Sequence, residues 1–419
     1  MNLFKKVIKG LFITILSIVL LIVAADLLWI FVPQLRASKK IEDLNQYARS
    51  TSEITIPAET KVVSLGEASH GNSTFQEMKL SVLKQLVEKE GVRCFALEAA
   101  FGEGLAVNQY IHGGEGTAKD AVDKLSFTIY HTQQMVDLIQ WMHDYNETAE
   151  ESEQLNFYGF DMQNCEYTIL FLKDFFLANN IDPTNFSDSA DPFSEEYPSI
   201  DYEKCTQFLL TQKEQSPDDY DLALAIACCK NMIQFDNYGD IDFSDYISAN
   251  NYRDTCMAEN VSTILEIEES LGHERIFISG HNGHIATQGT FYKTMGSHLK
   301  ETYGNAYYAI GTDYYKTTCN INVMGPSTER GNYTFCSADP LAKSAKHFFG
   351  SYYLRFDKLP LDSETYQIVN APMYTGSLGE GYSFMMHLLP TSHRIQIPPA
   401  NMYNAMIFTY EAEPIEVLE

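Results

Sequence analysis

A short apolar, β-branched run that stops at a glycine or an acid and gives way to a helical pattern recurs along this chain, and nothing else in it constrains the fold as tightly. The runs cover 61–65, 93–97, 155–160 and 275–279, and they lead into Gly66-Glu67, Glu98, Asp161 and Gly280-His281. Buried strands alternating with helices predict an α/β fold with a mainly parallel sheet flanked by helices. In such a sheet the carboxyl ends of the strands line one crevice, where ligands bind. Further strands are predicted at 306–312 and at 405–410, the last closing or bordering the sheet.

Residues 75–90 carry Phe75, Met78, Val82, Leu83, Leu86 and Val87 at helical spacing, with Lys79 inside the stripe and so directed inward. A lysine there either snorkels past the core or serves a site. A helix is predicted over 133–145, and 165–270 reads as a helical insertion interrupted by a loop rich in Pro and Asp at 181–201. Within it Tyr252-Arg253-Asp254 is expected to open a helix, with the Arg253-Asp254 pair lining the cleft or forming a surface ion pair. The region 316–400 is rich in Gly, Pro, Tyr and Ser and gives no clear order of elements.

Lys5, Lys6 and Lys9 precede a stretch, 11–32, whose apolar run is broken only by Thr14, Ser17 and Asp26. That length suffices to span a bilayer core of about 30 Å. The pattern predicts one transmembrane anchor over 1–33, a polar connector over 34–60 and one domain over 61–419. The basic flank places the N-terminus in the cytoplasm, giving a single-pass cell-membrane protein with its main domain extracytoplasmic. A cleaved signal peptide ending near Ala24 and Ala25 is the competing reading. At 419 residues and 45% hydrophobic, the chain has ample material for a core. Its formal charge of -27 argues against a nucleic-acid partner, which would need clustered Lys and Arg. The eight cysteines show no CxxC spacing, so most are expected to be buried thiols, with one or two bridges open to them.

The chemistry-bearing residues at the strand ends are Glu67, His70, Glu98, Asp161, His281 and His284. A GxSxG elbow is absent, and Ser69 stands directly before His70. A histidine held by a carboxylate can act as general base and activate a water against an ester. Alternatively His281 and His284, three apart, could bind a metal together with His70 or Glu67. An envelope binding protein that keeps the fold without activity is the non-enzymatic alternative.

Taken in order, these motifs resemble a known family. Gly66-Glu67-Ala68-Ser69-His70-Gly71, the helix with Lys79, Phe95-Ala96-Leu97-Glu98, Gly159-Phe160-Asp161, the segment from Arg253 to Asn260, His281-Asn282-Gly283-His284 and Tyr307-Tyr308-Ala309-Ile310-Gly311 are similar to successive motifs of the erythromycin esterase family. Residues 405–408 resemble that family's last strand more weakly. The resemblance implies a carboxylic ester hydrolase that opens macrolide lactones with water, without a metal or other cofactor, and so a link to antibiotic resistance. It implies His70 as the base, Glu67 and Glu98 orienting it or the water, and His281 and His284 completing the catalytic set. Lys79, Asp161 and Arg253 are then expected to bind the small-molecule ester or lactone. Where Lys79 stands, the family's best-known esterases carry an arginine, whose planar fork a lysine lacks.

Overall fold

The apolar runs form four adjacent strands on one side of a sheet, and their side chains are buried on both faces. Alternate residues go to opposite layers. Val62, Ala96, Ile276 and Ile278 join one core with side chains of helices Tyr220–Gly239 and Tyr246–Ser270. Val63, Leu65, Phe95, Leu97 and Phe277 join the other with side chains of helices Ser73–Glu90 and Gln133–Asn146. The computed structural model describes residues 2–194, 197–325 and 329–418.

The strands are β1 (Val62–Glu67), β2 (Cys94–Ala100), β3 (Asn156–Asp161), β4 (Ile276–His281), β5 (Tyr307–Val323), β6 (Arg330–Cys336), β7 (Ser351–Arg355), β8 (Met373–Gly376), β9 (Gly381–Tyr382), β10 (Arg394–Ile397) and β11 (Ala405–Ala412). The main sheet runs β3-β2-β4-β1-β5-β11-β7. Neighbours along it are parallel, except that β7 is antiparallel to β11. β6 and β9 both pair with the far half of β5.

Register brings the strand ends level. Glu67 lies beside His281, and Leu97 pairs with Ser279, so Glu98 follows alongside Gly280. The two glycines are required by that closeness. A Cβ on Gly66 would lie 2.1 Å from Asn282 Oδ1, and one on Gly280 would lie 2.8 Å from Glu98 Oε2.

Several sequence expectations are corrected. β5 runs on to Val323, well past 312, because Tyr314, Cys319 and Ile321 bury their side chains in a third core. Ala68, Phe75, Phe335, Leu378 and Met386 complete that core, which gives the region 316–400 its order. β11 is interior, between β5 and β7, and the bordering strand is β7. Glu98 lies within β2 and does not end it. Arg253 sits inside helix Tyr246–Ser270, whose N-cap is Asp245. All eight cysteines are free thiols.

Helix Asn2–Arg36 stands almost wholly exposed, unlike a core helix. Among the described residues it alone is long and apolar enough to cross a membrane, as an anchor or a signal sequence does. Its last turns touch the domain. Arg394 Nη1 donates to the Ile30 carbonyl at 3.3 Å, and Lys343 Nζ to that of Gln34 at 3.4 Å.

Candidate active site

β1 ends in a turn through Ala68 and Ser69 that carries His70, and Thr312 Oγ1 fixes the turn by accepting the Ala68 N–H at 3.0 Å. His70 Nδ1 lies 2.7 Å from Glu67 Oε1. Lys79, 1% exposed on helix Ser73–Glu90, bonds the other oxygen of Glu67 and donates to Gln76 Oε1 at 3.0 Å. Burial opposes the Glu67 carboxylate, but the Lys79 charge and the His70 hydrogen bond outweigh it and hold its pKa at about 2. Glu67 is therefore an acceptor, and Nδ1 of His70 is the donor. The lone pair sits on Nε2, which has no hydrogen-bond partner among the described residues. Burial works against the imidazolium of His70. The hydrogen bond and charge of Glu67, with Glu98 and Glu380 behind, outweigh it and raise the pKa above 6.5.

Glu98 is not a helix cap. Its Oε2 accepts the backbone N–H of His281 at 2.6 Å, and its Oε1 accepts Arg253 Nη2 at 2.8 Å and lies 3.4 Å from His284 Nε2. Burial is outweighed there by the charges of His284 and Arg253, which hold the carboxyl well below its usual range. Arg253 forks onto buried Asp161, with Nη2 2.6 Å and Nε 3.2 Å from Oδ2. Arg253 Nη1 lies 3.1 Å from His284 Nε2, and the His284 Nδ1–H donates to Asp254 at 2.9 Å. Burial depresses the pKa of His284, and the Asp254 and Glu98 carboxylates more than offset that.

His281 caps the short helix Asn282–Ile285: its Nδ1 accepts the Gly283 N–H at 3.1 Å, and its Nε2–H donates to the Leu378 carbonyl at 3.1 Å. Burial and the charges of His70 and His284 hold its pKa at about 3, so it stays neutral. The His70 and His281 rings lie 4.7 Å apart, and those of His281 and His284 6.3 Å apart.

The structure thus brings together Glu67, His70, Glu98, Asp161, His281 and His284, with Lys79 buried and Arg253 half-buried behind them. Sequence reasoning missed Tyr130, Glu380 and Leu378. Asp254, paired with Arg253 in the sequence reading, had a further signal in the helical stripe of Met257, Val261, Ile264 and Leu265. Tyr130 had none. Its hydroxyl is buried without a hydrogen-bond partner, and its ring centroid lies 6.0 Å from Lys79 Nζ.

As the side chains stand, His281 and His284 have no nitrogen free for a shared metal. Both nitrogens of His281 are bonded to backbone, and both of His284 to Asp254 and Arg253. Among the described residues the three or more ligand atoms that gather within 4.8 Å of one another belong to His143, Asp144 and Glu147, at the end of helix Gln133–Asn146.

Residues 87–412 match the family model for erythromycin esterase. The match begins after Lys79, so Glu67 and His70 precede it. An Escherichia coli protein, erythromycin esterase type II, is 26% identical over 303 residues, which are 62% of this chain and 70% of that protein. Among solved structures, a Bacillus cereus protein superposes with a TM-score of 0.73 at 20% identity, covering 90% of this chain and 98% of its own. An erythromycin esterase mutant in its open conformation superposes with a TM-score of 0.54 at 14% identity, covering 89% of this chain and 99% of its own. These structures share the mostly parallel sheet with flanking helices. Matched in sequence from the helix after β1 to the last strand, the chain belongs to the erythromycin esterase family.

Proposed function

We propose that this chain hydrolyses a carboxylic ester or lactone with a water that His70 deprotonates. The Glu67–His70 pair carries the reading: Nδ1 is committed to the carboxylate, and Nε2 keeps its lone pair. Water gives a proton to Nε2 as its oxygen bonds to the carbonyl carbon. The bond to the leaving alkoxide then breaks, and Nε2 returns the proton to that oxygen, so ester and water yield acid and alcohol. Glu67 fixes the tautomer and stabilises the imidazolium.

Lys79 holds Glu67 from behind, and at 1% exposure it has no surface to offer a substrate. We therefore assign it, with Asp161 and Arg253, to positioning the carboxylates and His284. His281, neutral beside His70, offers its Nε2–H to the developing oxyanion by exchanging the Leu378 carbonyl for it. The step uses no metal, a reading supported by the imidazole nitrogens already held by protein partners. Lys5, Lys6 and Lys9, ahead of the apolar stretch of the N-terminal helix, support an anchored domain outside the cytoplasm.

A panel of soluble esters and macrolide lactones, assayed with and without chelator, tests this. Turnover indifferent to chelation is expected. Turnover abolished by chelation and restored by a divalent metal would contradict the metal-free step.

A further inference from the structure

The segment from Leu378 to Arg394 links the candidate site to the N-terminal helix. At one end Leu378 is fully buried, its N–H donating to the Ala68 carbonyl at 3.0 Å and its carbonyl accepting His281 Nε2–H at 3.1 Å. Glu380 follows, its Oε1 bonded by Arg330 and by Asn322 Nδ2 at 3.0 Å. Met386 then plugs into the third core. The residues around it do the opposite: Phe384 is 68% exposed, Met385 50%, Leu388 39% and Leu389 42%. Met324 extends the patch. It is 65% exposed, and its N–H donates to the Tyr382 carbonyl at 2.8 Å. His387 and His393 both lie against Phe335, with centroids 5.1 and 5.0 Å away, so the turn stays close to Arg394. Arg394 reaches the Ile30 carbonyl of the N-terminal helix at 3.3 Å.

A cluster of large apolar side chains left in water marks a partner surface. The place of Arg394 says which. Ile30 lies six residues before Arg36, the last of its helix, so it sits about 9 Å inside the helix end. Trp29 and Arg36 flank it, the residue types that settle at a membrane interface. A domain wall bonded at that depth meets the bilayer surface when the helix spans it. An apolar turn on the same wall then reaches the boundary of headgroups and acyl chains.

We propose that Met324, Phe384, Met385, Leu388 and Leu389 form a bilayer-contacting surface that opens the site toward the membrane, and that the substrate is an amphiphilic ester or lactone drawn from the lipid phase. The first half rests on helix Asn2–Arg36 as an anchor, and the second also rests on the hydrolase reading above.

The full chain reconstituted in phosphatidylcholine vesicles tests both halves separately. With a benzophenone amino acid at position 385, ultraviolet light should yield a phospholipid adduct, and with the same residue at 271 it should not. A cross-link to a second copy of the chain, or no adduct, overturns the surface whether or not the chain is an esterase. In the same vesicles, Met385→Asp combined with Leu389→Asp should raise KM for a long-chain nitrophenyl ester about tenfold or more, the scale of losing the burial of a large apolar side chain. KM for nitrophenyl acetate should not change. Equal KM values for the long-chain ester in variant and wild type overturn the substrate class. Wild-type chain that cleaves neither ester counts against the hydrolase reading and the substrate class that rests on it, and leaves the lipid adduct to decide the surface.

Discussion

His70 Nδ1 and Glu67 Oε1 lie 2.7 Å apart, and Lys79 closes on the other oxygen of the same carboxylate. The three residues come from one strand end, the turn after it and the next helix, so a single βα unit orients the proposed base. The second layer of the site, Glu98, Asp161, Arg253, Asp254 and His284, is assembled from four other elements and holds the cleft around that unit.

The pair sets a pH dependence. Glu67 raises the His70 pKa above 6.5, and only the neutral ring can take a proton, so activity should fall as pH drops through that raised value. Glu67→Gln removes the charge that favours the imidazolium. The acidic limb of kcat/KM should then move to lower pH while the plateau falls. A limb that stays in place would show that another group is titrating.

Acid stability should depend on Glu67 and Glu98. Both are held below the ordinary 4.5, so their stabilisation is present above that pH and is lost as pH falls through their folded-state values, about 2 for Glu67. The urea midpoint should decline across that window. Glu98→Gln should flatten the decline relative to wild type, and superimposable curves would contradict the assignment.

Arg253 joins Glu98 and Asp161, and its removal leaves two buried carboxylates without their cation. Arg253→Met should cost about 3–5 kcal/mol in urea unfolding. Arg253→Lys should recover part of the stability but less of the activity, because it loses the fork. A neutral effect of Arg253→Met would mean that water compensates the carboxylates.

Gly66→Ala tests the close approach of the histidine motif to β1. Its Cβ would fall 2.1 Å from Asn282 Oδ1, and Asn282 Nδ2 in turn holds the Thr312 carbonyl at 2.7 Å. Overpacking of this kind costs about 1–3 kcal/mol. The substitution should lower both the melting midpoint and kcat, whereas Gly91→Ala, with open space around it, should leave kcat unchanged.

The part of this site that was legible in the sequence is the part built by local pattern. Strands buried on both faces appear as apolar runs, and parallel packing brings their ends together, so Glu67, Glu98, Asp161 and His281 could be grouped without coordinates. Lys79 was visible as a charge on a buried stripe. Asp254 carried the same signal and was paired with Arg253, although its helix starts at Tyr246, about a turn and a half before the expected Tyr252. Tyr130, Glu380 and Leu378 reach the site through contacts with residues remote in sequence, which leave no periodic trace. The long β5 was hidden for the same reason: its Tyr314, Cys319 and Ile321 pack on a core formed only when β6 and the segment after β8 fold over them.

The most direct measurement is kcat of His70→Ala on an ester that the wild-type chain cleaves, taken beside its melting midpoint. Loss of a general base predicts a fall of about 10²-fold or more with the midpoint close to wild type. A folded His70→Ala that turns over as fast as wild type would contradict the account.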